Sequence, residues 1–451
     1  MADAQRLTIQ VHVDDRWLDA GEIAFRWPGN GLRSQMSFYY RPEYVVEVAG
    51  DACLSEACFT DHRAVTVNAP ASLTGHYDET VIAPFLRDII PQGFARQVLT
   101  KRTGNSRVRG AGQDFALLRD FCVSPIGNVR VKEAVDRFCK TLDKQPVQSL
   151  RADDLLRSPT ALFDVINSTP TDFLAGALGA GGEAPKLLMV EDQAGELYLK
   201  GTLSPGHVRK HWLVKFPRGR MTENDRNILR SESVFYEALA KCGINTLHGT
   251  KFLEGNIPSL WLPRFDRPMT ESDEHRVGVE SMYCLNKMVG NGARMHHETV
   301  LTALRRSIYD NDHYDQNLCD YLIRDVVNAA TGNTDNHGRN ASIIKTERGI
   351  KLSPAYDIAP MVMDDDGIAV ATVWSGKYGT RNEDPDYSAI VEEFAVDASV
   401  VISDFRAKLS QLCQLNEVAR ALGLPGSAFQ HFRIDLTRPQ RVLKHVSSAH
   451  D

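Results

Sequence analysis

The stretch Gly332–Pro360 reads GNTDNHGRNASIIKTERGIKLSPAYDIAP, and its pattern is loop, strand, tight turn, strand, loop. Asp335, His337 and Asn340 fall in the first loop, the apolar run Ala341–Ile344 follows, and Asp357 falls in the last loop. Between the apolar runs, Lys345–Gly349 is a polar cluster ending in glycine, the signature of a hairpin turn. Paired strands return the chain to where it began. Asp335, Asn340 and Asp357 are therefore expected to converge at one mouth of the hairpin.

Three converging oxygen-bearing side chains suit phosphoryl transfer. That chemistry needs a carboxylate to orient and deprotonate a hydroxyl nucleophile, and hard oxygen ligands for magnesium bridging the nucleotide phosphates. In protein kinases an Asp, an Asn five positions on and a further Asp beyond a hairpin fill these roles. Taken alone, D-x-H-x-x-N is more readily a turn with a capping Asn. What lies upstream decides between the two.

The chain has 451 residues, ample for two or three domains with real cores. Its formal net charge of −6, with 43% apolar and 24% charged residues, gives no global attraction to nucleic acid or anionic membrane. Eight cysteines (53, 58, 122, 139, 242, 284, 319 and 413) are scattered with no C-x-x-C pair. With no signal peptide and no apolar stretch of spanning length, they read as reduced core residues of a cytoplasmic protein. His296-His297-Glu298 does not continue as H-E-x-x-H and is expected on a helix surface.

In residues 1–150, Leu7–Val13 and Trp17–Phe25 alternate as half-buried strands around the Asp14-Asp15 turn, and Phe38–Tyr40 and Tyr44–Val48 add strand-like material. A loop is expected at His76–Thr80. Helical spacing then covers Pro84–Thr100, interrupted by Pro91-Gln92-Gly93, and Asp114–Cys122 with Asp114 as its cap. Val131–Leu142 and Ala152–Ile166 read as helices, the latter with Asp153-Asp154 at its start. This part is expected to be scaffold or recognition surface.

Composition changes at Leu174. Residues 174–186 read LAGALGAGGEAPK, with four glycines in seven residues, dense enough for backbone N–H groups to approach phosphate oxygens. The match is to neither G-x-x-x-x-G-K-[ST] nor G-x-G-x-x-G, and a flexible surface loop fits it as well. Short strands are expected at Leu187–Val190, Leu197–Lys200 and Trp212–Phe216. The third carries Lys215, about where a strand lysine would meet nucleotide phosphates. Asn227–Cys242 is an amphipathic helix whose Glu232 could pair with Lys215. Ile257–Arg267 is strand-like and then polar, in the position of an interlobe linker. Leu318–Ala330 is a helix running into the Asp335 loop, and Ala398–Leu422 and Ala428–His445 show helical spacing.

The ordered set G-G-E-A-P-K, Lys215, Glu232, P-R-F-D-R, G-N-T-D-N-H-G-R-N and S-P-A-Y-D-I closely resembles the HipA family of bacterial serine/threonine kinase toxins. More loosely, Pro84–Arg96 is similar to that family's F-x-x-L-L-P-x-G-x-x-R element. The resemblance implies an α+β, two-lobed protein-kinase-like fold, with a small β-rich subdomain (1–150), a small lobe carrying the glycine-rich loop (151–264) and a helical large lobe (265–451). It implies Asp335 as catalytic base and Asn340 and Asp357 as magnesium ligands. Gly181, Gly182, Glu183, Ala184, Pro185, Lys186 and Lys215 would hold the phosphates of ATP. Pro263, Arg264 and Phe265 would meet adenine, with His337, Gly338, Arg339 and Tyr356 beside the nucleotide. It also implies a protein substrate with a Ser/Thr acceptor, an aminoacyl-tRNA synthetase for some members, and a HipB-like antitoxin that carries the kinase to DNA. No membrane partner is expected. The residues leave open an inactive nucleotide-binding or antitoxin-docking module and a small-molecule kinase on the same scaffold.

Two departures stand out. Family members carry, ahead of the nucleotide-binding lysine, a serine whose autophosphorylation ejects the loop; here Gly179 and Ala180 occupy that place, and no Ser or Thr lies between Asp172 and Lys186. At Pro263, where some relatives have an acidic residue, the missing N–H leaves only carbonyls for adenine. Incubation with ATP should accordingly produce no time-dependent silencing by phosphorylation in or beside Gly176–Lys186. Mass spectrometry locating phosphate on Ser168, Thr169 or Thr171 with a coupled loss of activity would contradict this.

Overall fold

The structure, a computed structural model, describes residues 4–50, 52, 58–104, 110–144, 149–150, 161–268, 275–290, 292–379 and 383–448. Strands β1 (Gln5–Val13) and β2 (Arg16–Phe25) follow the expected alternation. Asp14 and Asp15 join them with φ of 49° and 57°, the left-handed pair that a two-residue hairpin requires. With β3 (Met36–Tyr40), β4 (His76–Asp78) and β5 (Val129–Val131) they form an antiparallel sheet in the order β4-β3-β2-β1-β5.

Several elements differ locally from the sequence pattern. Tyr44–Val48 is not a strand but the interior of helix Pro42–Ala49, which buries Tyr44, Val45 and Ala49; Pro42 at its first position fixes a helical φ where no N–H is needed. His76–Asp78 is an edge strand rather than a loop, and Asp78 caps helix Glu79–Ile89 by accepting from Thr80 N. Asp114 is not the cap of helix Asp114–Phe121. Its carboxylate is buried, accepting from Leu32 N at 3.2 Å and pairing with Arg96 at 2.7 Å. Most of the expected Ala152–Ile166 helix lies outside the described residues; helix Ala161–Ser168 covers its end.

A second antiparallel sheet is built from β6 (Lys186–Asp192), β7 (Leu197–Leu199), β8 (Val208–Lys215), β9 (Lys251–Leu253) and β10 (Ser259–Pro263), in the order β7-β6-β8-β10-β9. Helix Glu223–Lys241 lies against it, started by a capping box between Thr222 and Asp225. One apolar core runs through both sheets: Ile9, Phe25 and Phe85 from the first region belong to the same buried cluster as Leu187, Trp212 and Val214.

The remainder is mainly helical around a separate core. Helix Asn311–Thr331 buries Leu318, Leu322, Val326 and Ala330, the expected stripe, and ends at Gly332 in the left-handed conformation. Strand β11 (Gly278–Ser281) precedes a short β12 (Met295–His296), then β13 (Ser342–Thr346) and β14 (Gly349–Leu352) form the expected hairpin, paired in the order β11-β13-β14. A last strand, β15 (Thr372–Val373), pairs with β12 in parallel. Helices Ala398–Leu412, Leu415–Ala421, Gly426–Phe429 and Arg438–Ser448 complete a two-lobed α+β molecule. The expected continuous helix from Ala428 is broken, with Asp435 accepting from Thr437 N in the turn that restarts it. Among the described residues no helix is long and apolar enough to cross a membrane.

The two lobes meet at Pro263–Arg267. Asp266 there is buried, accepting from Arg264 at 2.6 Å, Arg267 at 2.7 Å and Gly127 N at 2.8 Å. Burial alone would raise its pKa, but the two guanidiniums overcome this and hold it well below the ordinary carboxylate range. Its contribution to stability is thus present at neutral pH and is lost as pH falls below about 4. Asp266→Ala would strand two buried arginines and is expected to cost about 3–5 kcal/mol. Urea unfolding at pH 7 checks this; an unchanged midpoint would contradict it.

Candidate active site

Strand β8 carries Lys215 at its last position, between Lys186 of β6 and Leu260 of β10. An apolar strand places this ammonium in the interior, where an unpaired charge is expensive. Two carboxylates satisfy it: Glu232 Oε1 accepts at 2.6 Å, and Asp357 Oδ1 accepts as well. Burial disfavours the Lys215 charge, yet Asp357 and Glu232 outweigh it and raise the lysine pKa. Burial likewise opposes the Asp357 carboxylate, and Lys215 with Lys186 drives its pKa well below the usual range. The pairing of Lys215 with Glu232 that the sequence allowed is formed.

Tyr236, one helical turn after Glu232, ties the same cluster together. Its hydroxyl donates to Glu232 Oε1 at 3.0 Å and accepts from Asp357 N at 2.8 Å. Asp357 sits at φ 57°, a conformation that costs a non-glycine residue free energy and persists where its surroundings over-determine it. From the other side, Asn333 Nδ2 donates to the Asp357 carbonyl at 2.9 Å and Asn333 Oδ1 accepts from Asp335 N at 3.2 Å. Sequence reasoning missed both residues. The i, i+4 spacing from Glu232 to Tyr236 and the Asn two places before Asp335 were the available signals.

Asp335 and Asn340 lie at the hairpin mouth. Asn340 Nδ2 donates to the Asp335 carbonyl at 2.7 Å, and the Asp335 carboxylate is 3.5 Å from His337 Nε2. Burial raises the pKa of Asp335 and Asp357 raises it further, against His337, Lys186 and Arg218. Arg218, on the turn after β8, was not foreseen; it lies 3.4 Å from Asp364. His337 stacks on Tyr283 at 6.0 Å, and a side chain on Gly338 would collide with that ring.

Lys186 donates to the Gly181 carbonyl at 3.0 Å, and a Cβ on Gly182 would stand 2.4 Å from the same ammonium. The glycine-rich turn therefore closes directly over the lysine. Its burial, with Lys215 adding to it against Asp357, lowers the Lys186 pKa. Glu183 is exposed, Ala184 half-buried, and the buried Pro185 accepts from Phe216 N at 3.0 Å.

Five further candidates, Pro263, Arg264, Phe265, Arg339 and Tyr356, lie at the linker and behind the catalytic loop. The Arg264 side chain is taken up by Asp266 and only its backbone belongs to the linker, where its N–H donates to the His211 carbonyl at 3.0 Å. Phe265 stacks on Tyr356 at 5.5 Å, and the Tyr356 hydroxyl bonds Ser342 and donates to the Arg339 carbonyl at 2.7 Å. Arg339 packs over Tyr283 and reaches Asp88 of the N-terminal region at 3.8 Å rather than the carboxylates. Pro263 ends β10 opposite Trp212. His297 is not on a helix surface: it is buried, bonded to Tyr321 at 2.8 Å and stacked on Trp374 at 4.6 Å.

Asn340 and Asp357 present an oxygen-only donor set, since the Asn340 amide nitrogen is spent on Asp335 and only one Asp357 oxygen is spent on Lys215. Hard oxygens of this kind fit Mg²⁺.

Residues 178–421 match the family model of the HipA-like C-terminal domain. The chain is similar to the serine/threonine-protein kinase toxin HipA of Shewanella oneidensis, 21% identical over 384 residues covering 81% of this chain and 78% of that protein. It is also similar to Y4mE of Sinorhizobium fredii, 24% identical over 387 residues covering 82% and 86%. Among solved structures, Shewanella oneidensis HipA in complex with HipB and operator DNA superposes with a TM-score of 0.67 over 99% of both chains, at 18% identity.

Lys215 and Asp357 both carry their charge at neutral pH, because the lysine's pKa is raised and the acid's is depressed. Lys215→Ala should raise the apparent KM for ATP about tenfold to hundredfold with circular dichroism unchanged. A folded variant with an unchanged KM for ATP would remove Lys215 from the phosphate site.

Proposed function

The chain belongs to the HipA-like kinase family, and from that premise we propose that it is an ATP-dependent serine/threonine protein kinase that restrains growth by modifying a cellular protein. The observation that carries this is the bridge from Lys215 to Glu232 and Asp357, formed beside Asp335 and Asn340.

In this reading Lys186, Lys215 and the Gly181–Gly182 backbone hold the phosphates, with Glu183, Ala184 and Pro185 setting the course of the loop. The linker backbone at Pro263–Phe265 borders adenine, and His337, Gly338, Arg339 and Tyr356 shape the cleft floor. Asn340 and Asp357 would hold magnesium, which when bound neutralises phosphate charge. The acceptor hydroxyl oxygen attacks the γ-phosphorus, the bond to the β–γ bridging oxygen breaks, and ADP leaves. Asp335 takes the hydroxyl proton, helped by a pKa raised through burial. The chain divides in this account into 1–150, 151–264 and 265–451. A HipB-like antitoxin is the proposed partner. With a net charge of −6, DNA would be met through it.

Cell extract with γ-labelled ATP and the purified protein tests the reading. A labelled protein band is expected with the intact chain, reduced about 10²- to 10⁴-fold with Asp335→Ala, which should still bind ATP. Near-normal transfer by Asp335→Ala would remove it as the base. Measurable ATP binding with no labelled protein would point to a docking module or a small-molecule acceptor.

A further inference from the structure

The turn between helix Glu79–Ile89 and helix Gly93–Arg102 touches both sides of the cleft. At one end Asp88 accepts from Ser281 Oγ at 2.7 Å and Ser281 N at 2.9 Å, and lies 3.8 Å from Arg339 of the catalytic loop. At the other end Phe94 N donates to the Gly182 carbonyl at 3.2 Å. Contact there is so close that a Cβ on Gly93, whose φ is 49°, would come within 2.1 Å of the Gly182 carbonyl oxygen. The segment between is stiff: Pro91 has a fixed φ, Gln92 Nε2 donates to the Arg87 carbonyl at 2.5 Å, and Ile89 and Ile90 are buried.

We propose that Asp88–Phe94 is a strap that sets the distance between the glycine-rich loop and the catalytic loop, so that its two ends are positioning residues for the nucleotide. This rests on the kinase reading above. The glycine-rich loop has few side chains of its own with which to fix its position, and it carries no Ser or Thr. The strap supplies from outside the loop what the loop lacks. Its anchorage in the shared core makes the N-terminal region part of the cleft's geometry rather than an appended scaffold.

Hydrogen exchange by mass spectrometry on the full-length protein, with steady-state kinetics on the same samples, tests this through Gly93→Ala and Asp88→Asn. Asp88→Asn keeps one of the two acceptor oxygens that Ser281 uses and removes the charge facing Arg339. Gly93→Ala should speed exchange over residues 179–186 about fivefold to thirtyfold, leave β1–β3 unchanged, and raise the KM for ATP by a similar factor with little change in kcat. Asp88→Asn should speed exchange over 335–341 and also act on KM. Should Gly93→Ala not fold, Asp88→Asn decides alone. Unchanged exchange in a folded variant would overturn the strap, and faster loop exchange with unchanged KM would overturn its positioning role. A parent protein that turns over no ATP, with exchange responding as expected, would count against the kinase reading and leave the strap standing.

Discussion

A buried ammonium bridges the two lobes at the candidate site. Lys215 belongs to the second sheet, Glu232 to the helix packed on it, and Asp357 to the loop leaving the hairpin of the large lobe. Removing one member of such a set leaves an uncompensated buried charge, a loss of about 3–5 kcal/mol. Tyr236 and Asn333 then fix Asp357 and Asp335 relative to one another, so that chemistry and interlobe architecture share the same hydrogen bonds.

The N-terminal region extends the same logic. It grips the linker through Gly127 on Asp266, the large lobe through Thr66 and Val67 on Glu280 at 2.5 and 2.9 Å, and the glycine-rich loop through Phe94. Because its apolar core is continuous with that of the small lobe, these polar contacts act on a rigid body.

What could be read from the sequence is what is local. Asp335, Asn340 and Asp357 are fixed by one hairpin, so their convergence followed from spacing; Lys215 followed from an apolar strand and Glu232 from an amphipathic helix. The segment Tyr44–Val48 has β-branched and aromatic composition, but Pro42 and burial on one face made it a helix. Arg264 sits in a motif that points to the nucleotide, yet Asp266 two residues on captures its side chain. His297 and Arg339 find partners in residues distant along the chain, Asp325 and Asp88 among them, which no local pattern reports. Long-range polar pairs are where pattern reading stopped.

In the proposed function Lys215, Asp357 and Asn340 form one magnesium-nucleotide site. Calorimetric titration with a non-hydrolysable ATP analogue, with and without Mg²⁺, measures it directly on the intact protein and on Asp357→Asn. Binding that requires Mg²⁺ and weakens at least about tenfold in Asp357→Asn, the loss of one charge-assisted interaction, is the predicted result. Binding indifferent to Mg²⁺, or equally tight in the variant, would contradict it.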